Sequence, residues 1–251
     1  MAEGDTILRA ARRLDAALAG EAVAVTAPNP RGRAAGVERL DGRRLERVDC
    51  HGKNLLLRCG DLVLHSHLGM NGSWHVYPRG GRWRKPRRAA WAVLVGEAQE
   101  AVQFGGPTLR VLPAVRLGRD PQLARLGPDV LAPDFDPEAA IRLLRADPSR
   151  TLGDALLDQT AIAGIGNIFK SEACFAARLD PWRPLGELGD EDLRAVLLAA
   201  RELMLAAVEK GRLPHAVYRR RSPCAVCGGP IAARGQGDAN RTTYWCRKCQ
   251  A

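Results

Sequence analysis

Two features that would carry a chain out of the cell or into a lipid are missing from this sequence. Met1-Ala-Glu-Gly-Asp has no basic head followed by an apolar run, so no secretory leader is expected. No stretch approaches the roughly 18 apolar residues of a membrane span. The expected location is therefore the cytoplasm. Aromatic residues are scarce, at 5%, so leucine, valine and alanine must fill the core. Internal repeats and low-complexity tracts are absent too. Hydrophobic residues at 46% and charged residues at 26% are ordinary values, which excludes wholesale disorder. The 251 residues allow one large domain or two of about 100–150.

Acidic residues are also in short supply, and the deficit is local. Lys and Arg number 38 against 28 Asp and Glu, a formal charge of +10. Residues 79–88 (RGGRWRKPRR) hold six basic side chains and no acid, and residues 210–251 hold nine with Asp238 alone against them. The rest of the chain is slightly acidic. Cations focused in two places suit a polyanion, because neutralising phosphates releases condensed counterions. The plainer reading of each stretch is a solvated face.

Four of the seven cysteines form one pattern: Cys224-x2-Cys227, eighteen residues, then Cys246-x2-Cys249. Each pair turns two sulfurs toward one point, and two such knuckles supply the tetrahedron of a single structural Zn2+. Two disulfides are the alternative, disfavoured without a secretion signal. Between the pairs, Gly235-Gln-Gly-Asp-Ala-Asn240 reads as a hairpin tip and Thr242-Thr-Tyr-Trp245 as a strand. Cys50, Cys59 and Cys174 lack any such spacing and read as small buried apolar residues.

Residues 6–19 repeat apolar side chains at helical spacing, from Ile7 to Leu18, and Gly20 follows as a cap. From about 21 to 116 the texture changes to short strands: EAVAVTA, RRLERVDC, NLLLRC, LVLHSH, SWHVYP, AAWAVLV and EAVQF. A Gly60-Asp61 turn joins the third to the fourth, and such a series predicts an antiparallel sandwich or barrel. Two prolines in Leu131-Ala-Pro-Asp-Phe-Asp-Pro137 mark a boundary, after which helices are expected over 137–146, 150–159, 167–178 and 190–210. The fold class is α+β, an N-terminal helix plus an antiparallel β-sandwich, a helical domain and a zinc β-hairpin. The expected domains are 1–132, 133–222 and 223–251.

Asp158-Gln-Thr-Ala-Ile-Ala-Gly-Ile-Gly-Asn-Ile-Phe-Lys-Ser-Glu172 reads as one helix ending, a glycine turn and another opening at Asn167. Glycines admit a phosphate close to the backbone, and the free N–H groups of the helix start point toward it. The competing reading is a helical hairpin whose glycines only permit close packing. At the N-terminus, removal of Met1 would expose the α-amine of Ala2 beside Glu3. With a reference pKa of about 7.7–8.0, such an amine is partly a nucleophile near neutral pH, although most termini are frayed and idle. Lys53 lies in a turn after His51-Gly52. Met70, in His67-Leu-Gly-Met-Asn-Gly72, is either a wedge for a base stack or a core residue. Arg241 stands at the zinc hairpin, placed for a groove or a phosphate.

Together these residues resemble the formamidopyrimidine-DNA glycosylase / endonuclease VIII family of base-excision repair. Ala2-Glu-Gly-Asp-Thr is similar to the family's Pro-Glu-Gly start, His51-Gly-Lys-Asn-Leu55 to its lysine turn and His67-Leu-Gly-Met-Asn-Gly-Ser73 to its void-filling loop. Leu126-Gly-Pro-Asp-Val-Leu131 is similar to the segment before its helical domain. The stretch from Asp158 to Glu172 is similar to its helix-two-turn-helix, and Asn240 to Gln250 to its zinc finger. The resemblance implies a monomeric glycosylase and apurinic/apyrimidinic lyase acting on damaged double-stranded DNA. The terminal amine would form a Schiff base with the flipped nucleotide, and β,δ-elimination would nick the strand. It implies catalytic roles for Ala2, Glu3, Lys53 and Arg241, DNA contacts for Met70, Asn167, Lys53 and Arg241, and metal ligation by Cys224, Cys227, Cys246 and Cys249. The segment 211–223 is short and the start is Glu-Gly, both similar to the endonuclease VIII branch, which favours oxidised pyrimidines.

Two departures bear on function. Ala2 stands where the family has proline, which leaves open a catalytically weakened lesion-binding paralogue. The family's Arg-Phe-Gly wedge is matched only poorly, by Gln103-Phe-Gly-Gly106. An unrelated zinc-ribbon protein of transcription or translation would explain the cysteines but leave Glu3, Lys53 and Asn167 as coincidences.

Overall fold

The protein, seen in a computed structural model, is described over residues 2–211, 214–219 and 223–250. The fate of Met1 and parts of the 211–223 segment lie outside the described residues. The chain forms two compact units. One holds Ala2 and residues 6–124, and the other holds residues 3–5 and 125–251.

The helix α1 (Gly4–Leu18), which belongs to the first unit from Thr6 on, starts two residues earlier than its apolar repeat suggests. Asp5, in the first turn, favours that early start through the helix dipole. Ile7, Ala11, Leu14 and Leu18 are buried, as the spacing predicts, and the helix stops before Gly20, whose φ is +86°. Eight strands follow: β1 (Ala24–Thr26), β2 (Arg47–His51), β3 (Asn54–Cys59), β4 (Leu62–His67), β5 (Ser73–Pro78), β6 (Ala90–Val95), β7 (Gln99–Phe104) and β8 (Thr108–Pro113). A five-residue helix α2 (Pro30–Ala34) lies between β1 and β2. The strands pair into two antiparallel sheets, β1-β6-β7-β5 and β2-β3-β4-β8.

Val25, Leu94 and Ala101 from the first sheet share one core with Leu55, Leu57 and Leu64 from the second, under the apolar face of α1. Aliphatic residues fill it, as the shortage of aromatics requires. Trp74 Nε1 donates to Ser66 Oγ at 3.2 Å, so the polar group of this buried ring is satisfied. The last strand, β8, is absent from the sequence reading. Gly105-Gly106-Pro107 before it and Pro113 at its end read as loop, but six residues of pairing with β4 decide otherwise.

The basic run 79–88 is a folded element. It crosses the outer face of the first sheet, where Tyr77, Val93, Val102 and Phe104 form a second small cluster with Trp83. Arg79 N donates to Ala98 O, Arg84 N to Tyr77 Oη at 3.2 Å, and Asn29 Nδ2 to Arg88 O at 3.0 Å. Gln103 and Phe104, the weak match to a wedge, are buried strand residues.

The second unit contains α3 (Pro137–Leu144), α4 (Leu152–Ala155), α5 (Asn167–Ala176), α6 (Asp190–Lys210) and the hairpin β9 (Ala232–Gln236) and β10 (Arg241–Trp245). The expected helix over 150–159 shrinks to one turn because side chains take over its end. Asp158 accepts from Thr160 N and Oγ1 at 2.8 and 2.6 Å, while Arg150 clamps Asp154 and Asp158. The hairpin tip is also tighter than expected, over residues 237–240, because Gly235 and Gln236 pair with Thr242 and Arg241.

Candidate active-site residues

In the first unit, the β2–β3 register sets His51 opposite Asn54 and leaves Gly52-Lys53 as a two-residue turn. Asn54 in turn faces His67 at the end of β4. Lys53 is thereby held near His67, whose imidazole is pushed below its usual range by burial and then by the lysine's charge. A buried relay braces this turn. Arg110 Nε donates to His65 Nδ1 at 3.1 Å, His65 Nε2 lies 2.8 Å from Asn54 Oδ1, and Asn54 Nδ2 donates to His51 O at 3.2 Å. Since Nδ1 accepts, Nε2 must carry the proton, and the ring is neutral. Burial, followed by the Arg110 charge, lowers its pKa to about 4. Asp120 holds the far end of Arg110 at 2.7 Å.

The loop after β4 presents Met70 at 63% exposure, which places it outside the core. Gly69, one residue before, has φ +57°, and a Cβ there would meet the Pro107 ring at 2.7 Å. Its carbonyl accepts from Ala2 N at 3.3 Å. Ala2 and Met70 both line a cavity of about 400 Å3, together with Thr6, Arg9 and Arg13 of α1 and Ser73, Trp74 and Val76 of β5. The first unit therefore brings Ala2 and Met70 to one hollow.

In the second unit, Glu3 is 1% exposed, and its carboxylate caps α5. Oε1 accepts from Ile168 N at 2.8 Å and Oε2 from Phe169 N at 3.2 Å. Gly4 N donates to Gly164 O at 3.0 Å. A Cβ on Gly166 would lie 2.3 Å from the Glu3 carboxyl carbon, so the glycine is required by this approach. The N–H groups expected to face a phosphate are thus occupied by a carboxylate of the same chain. The sequence reading missed this partner.

Asn167 is buried, and its Nδ2 donates to Thr242 O at 2.8 Å, tying α5 to the hairpin. Its Oδ1 has no partner among the described residues. Arg241, at the start of β10, is exposed and pairs in register with Gln236. Beneath them lies Lys170, fully buried, which the sequence reading passed over although a lysine within the apolar run Ile168-Phe169-Lys170 was a signal. Its Nζ donates to Thr243 Oγ1 at 2.6 Å, and the Thr243 hydroxyl donates on to Gln236 Oε1 at 2.5 Å. Burial lowers the Lys170 pKa to about 8, against the raising effects of Cys174, Asp154 and Glu3. Glu172 accepts from the backbone N–H groups of Ala216, Val217 and Tyr218 at 2.7–2.9 Å and so anchors the segment after α6.

The sulfurs of Cys224, Cys227, Cys246 and Cys249 lie within 4.8 Å of one another. The Cys227–Cys246 and Cys224–Cys249 separations are 3.4 and 3.9 Å, so the alternative of two disulfides is not realised. Tetrahedral thiolate ligation at about 2.3 Å requires sulfurs about 3.8 Å apart, which these residues fit. Gln250 accepts from Cys246 N and donates to Leu179 O, fixing the second knuckle on the helical unit. Cys59 and Cys174 are buried thiols pushed up to about 11 and about 12 by desolvation, and are inert.

A β-sandwich unit, a helix-two-turn-helix unit and a four-cysteine finger define the class: the architecture of base-excision glycosylases. The formamidopyrimidine-DNA glycosylase N-terminal domain model matches residues 1–107, and that family's H2TH domain model matches residues 126–216. The chain belongs to the formamidopyrimidine-DNA glycosylase / endonuclease 8 family. It is 41% identical to a probable endonuclease 8 2 of Streptomyces coelicolor, over the whole of this chain and 94% of that one. It is 36% identical to the DNA-(apurinic or apyrimidinic site) lyase Nei2 of Mycolicibacterium smegmatis, over 100% and 99%. Among solved structures, the MutM (Fpg) protein of Thermus thermophilus matches with a TM-score of 0.81 at 31% identity, covering 99% of this chain and 98% of that one. No helix among the described residues is long and apolar enough to cross a membrane.

Proposed function

We propose that this protein is a DNA glycosylase and apurinic/apyrimidinic lyase of base-excision repair. Its relatives carry endonuclease 8, formamidopyrimidine-DNA glycosylase and lyase names, and solved complexes of the same fold hold abasic-site DNA. The observation that carries the reading is local: Ala2 lines a cavity large enough for a nucleobase, and the very next residue is a buried carboxylate.

With Met1 removed, the Ala2 amine attacks C1′ of the damaged nucleotide. The C1′–N bond breaks, and the base leaves with the electron pair. Glu3 delivers a proton to the ring oxygen as the sugar opens to an imine on Ala2. A protonated imine acidifies C2′, so loss of a C2′ proton expels the 3′ phosphate and a second elimination expels the 5′ phosphate. Lys53 and Arg241 bind phosphates around the lesion, and Met70 fills the vacated stack. Asn167 joins them when its amide exchanges the Thr242 carbonyl for a phosphate oxygen. The four cysteines hold one structural Zn2+, which would stiffen the hairpin that carries Arg241. The substrate is damaged double-stranded DNA, bound by a monomer in the cytoplasm, with oxidised pyrimidines preferred.

Ala2 favours a second reading. A secondary amine gives a permanently cationic iminium, whereas a primary amine gives an imine that must be protonated to act, so a weakened, lesion-binding paralogue is the alternative. Borohydride trapping on a duplex with an abasic site or 5-hydroxyuracil decides between the two. A covalent adduct mapping to Ala2 is expected, and Ala2→Pro should raise its yield. Tight lesion binding with no adduct from correctly processed protein, and adduct formation by Ala2→Pro alone, would establish the paralogue.

A further inference from the structure

The 79–88 loop is the strongest motif that this chemistry leaves unused, and its surroundings are specific. Within ten residues it carries Arg79, Arg82, Arg84, Lys85, Arg87 and Arg88, and no carboxylate lies within ion-pair distance of any of them among the described residues. All but Lys85 are exposed. Like charges crowded on a mobile loop would repel and spread. Here they are held in place by an aromatic platform. His75 stacks on Tyr77 at 5.9 Å, Tyr77 on Trp83 at 6.3 Å, and Trp83 meets Phe104 edge-on at 6.2 Å. The Arg87 guanidinium sits 4.4 Å above Trp83, and the Lys85 ammonium sits 5.1 Å above Phe104. The single acid of this platform, Glu100, is buried and accepts from Trp83 Nε1.

The basic face also has a direction. Lys85 Nζ donates to Ser73 Oγ at 3.1 Å, and Ser73 opens β5 directly after the loop bearing Met70. Arg13, exposed on α1, lines the same hollow as Ala2 and Met70. The His75 imidazole records the convergence: after burial, its pKa is lowered by Lys85, Arg84 and Arg13 in turn. Cations therefore run from the rim of the Ala2 hollow along the length of β5, about 20 Å at roughly 3.3 Å per residue. That span matches about six phosphates at 3.4 Å rise per nucleotide.

We propose that this face, formed by Arg13 and the 79–88 loop, is a second DNA contact that binds the phosphodiester backbone of the duplex flanking the lesion. The inference rests on the glycosylase reading, since it takes the Ala2 hollow as the place of the damaged nucleotide. An ordered loop has already lost its chain entropy, so the contact adds affinity and a steep salt dependence without reading sequence.

The test measures Kd against salt concentration for duplexes bearing a non-cleavable abasic analogue, with flanks of about 5 or about 15 base pairs on either side. A variant carrying Arg79→Gln, Arg82→Gln, Arg84→Gln and Arg88→Gln leaves the Trp83 and Phe104 stacking intact. On the long duplex it should bind at least tenfold more weakly near 100 mM salt, with a logarithmic salt slope shallower by about 0.9 for each phosphate no longer neutralised. On the short duplex, whose flanks of about 17 Å reach most but not all of this face, the deficit should persist and be smaller. The corresponding four Arg→Lys changes should restore the slope. Equal slopes for parent and Gln variant on the long duplex overturn the inference, and they point to an acidic protein partner if polyglutamate binding is lost instead. Borohydride trapping of the unaltered protein on the same sequence with a natural abasic site keeps the two levels apart. Trapping with unchanged slopes sinks this inference alone, whereas the absence of both trapping and lesion affinity sinks the glycosylase reading beneath it.

Discussion

Glu3 does two jobs that a single substitution can separate. Its carboxylate caps α5, and in the proposed mechanism it also handles the sugar's proton. Glu3→Gln keeps an oxygen acceptor for one N–H and loses the charge. Thermal denaturation should therefore register only a modest loss, about 0.5–1 kcal/mol from the weaker cap and dipole interaction. Removal of a general acid costs typically 10²- to 10⁴-fold, so base release in single-turnover assays should fall by about that factor. A melt lowered by several kcal/mol with matching loss of activity would mean that the residue is only a cap. The same scale explains why Gly166 cannot be replaced. Any Cβ there would displace the carboxylate.

Among the elements, the β2–β3 turn carrying Lys53 is braced by a neutral histidine, and this sets its pH response. The His65 pKa is about 4 in the folded chain against an ordinary 6.5. Between these values the unfolded chain takes up a proton that the folded chain refuses, so stability rises with pH across the window and falls as the medium is acidified. At about 1.4 kcal/mol per pH unit, the loss amounts to about 3 kcal/mol by pH 4. Chemical denaturation of the protein and of His65→Gln from pH 7 to pH 4 should show the parent losing stability more steeply. Parallel curves would remove the imidazole from the argument. Gln supplies a donor for Asn54, so the relay survives while the titration does not.

At the scale of the whole molecule, the first unit has an aliphatic core made of its own residues, and the cysteine cluster lies in the second. Cys246→Ser, or chelation of the metal, should weaken lesion-duplex binding more than it unfolds the β-sandwich. The hairpin bearing Arg241, with its Lys170–Thr243–Gln236 chain, loses its base, while Leu55, Leu57 and Leu64 keep their burial. Hydrogen exchange resolved by segment checks this. Protection should fall in residues 223–250 and persist in β3 and β4. Collapse of both in step would show that the metal supports the entire chain.

Short-range spacing determined a good deal here. The helical repeat from Ile7 to Leu18, the Gly60-Asp61 hairpin and the two CxxC knuckles are encoded by neighbours in the chain, so the sequence alone revealed them. Residue types at the N-terminus, the 51–54 turn and the 67–73 loop likewise disclosed the family. What each candidate touches was decided elsewhere. Glu3 meets the amide of Ile168 across 165 positions, and Lys170 meets Thr243 across 73. The basic run is held in place because its own Trp83 packs on Tyr77 of β5 and Phe104 of β7. Such pairings depend on which buried polar groups are left to satisfy one another once the cores have closed, and no local pattern carries that information.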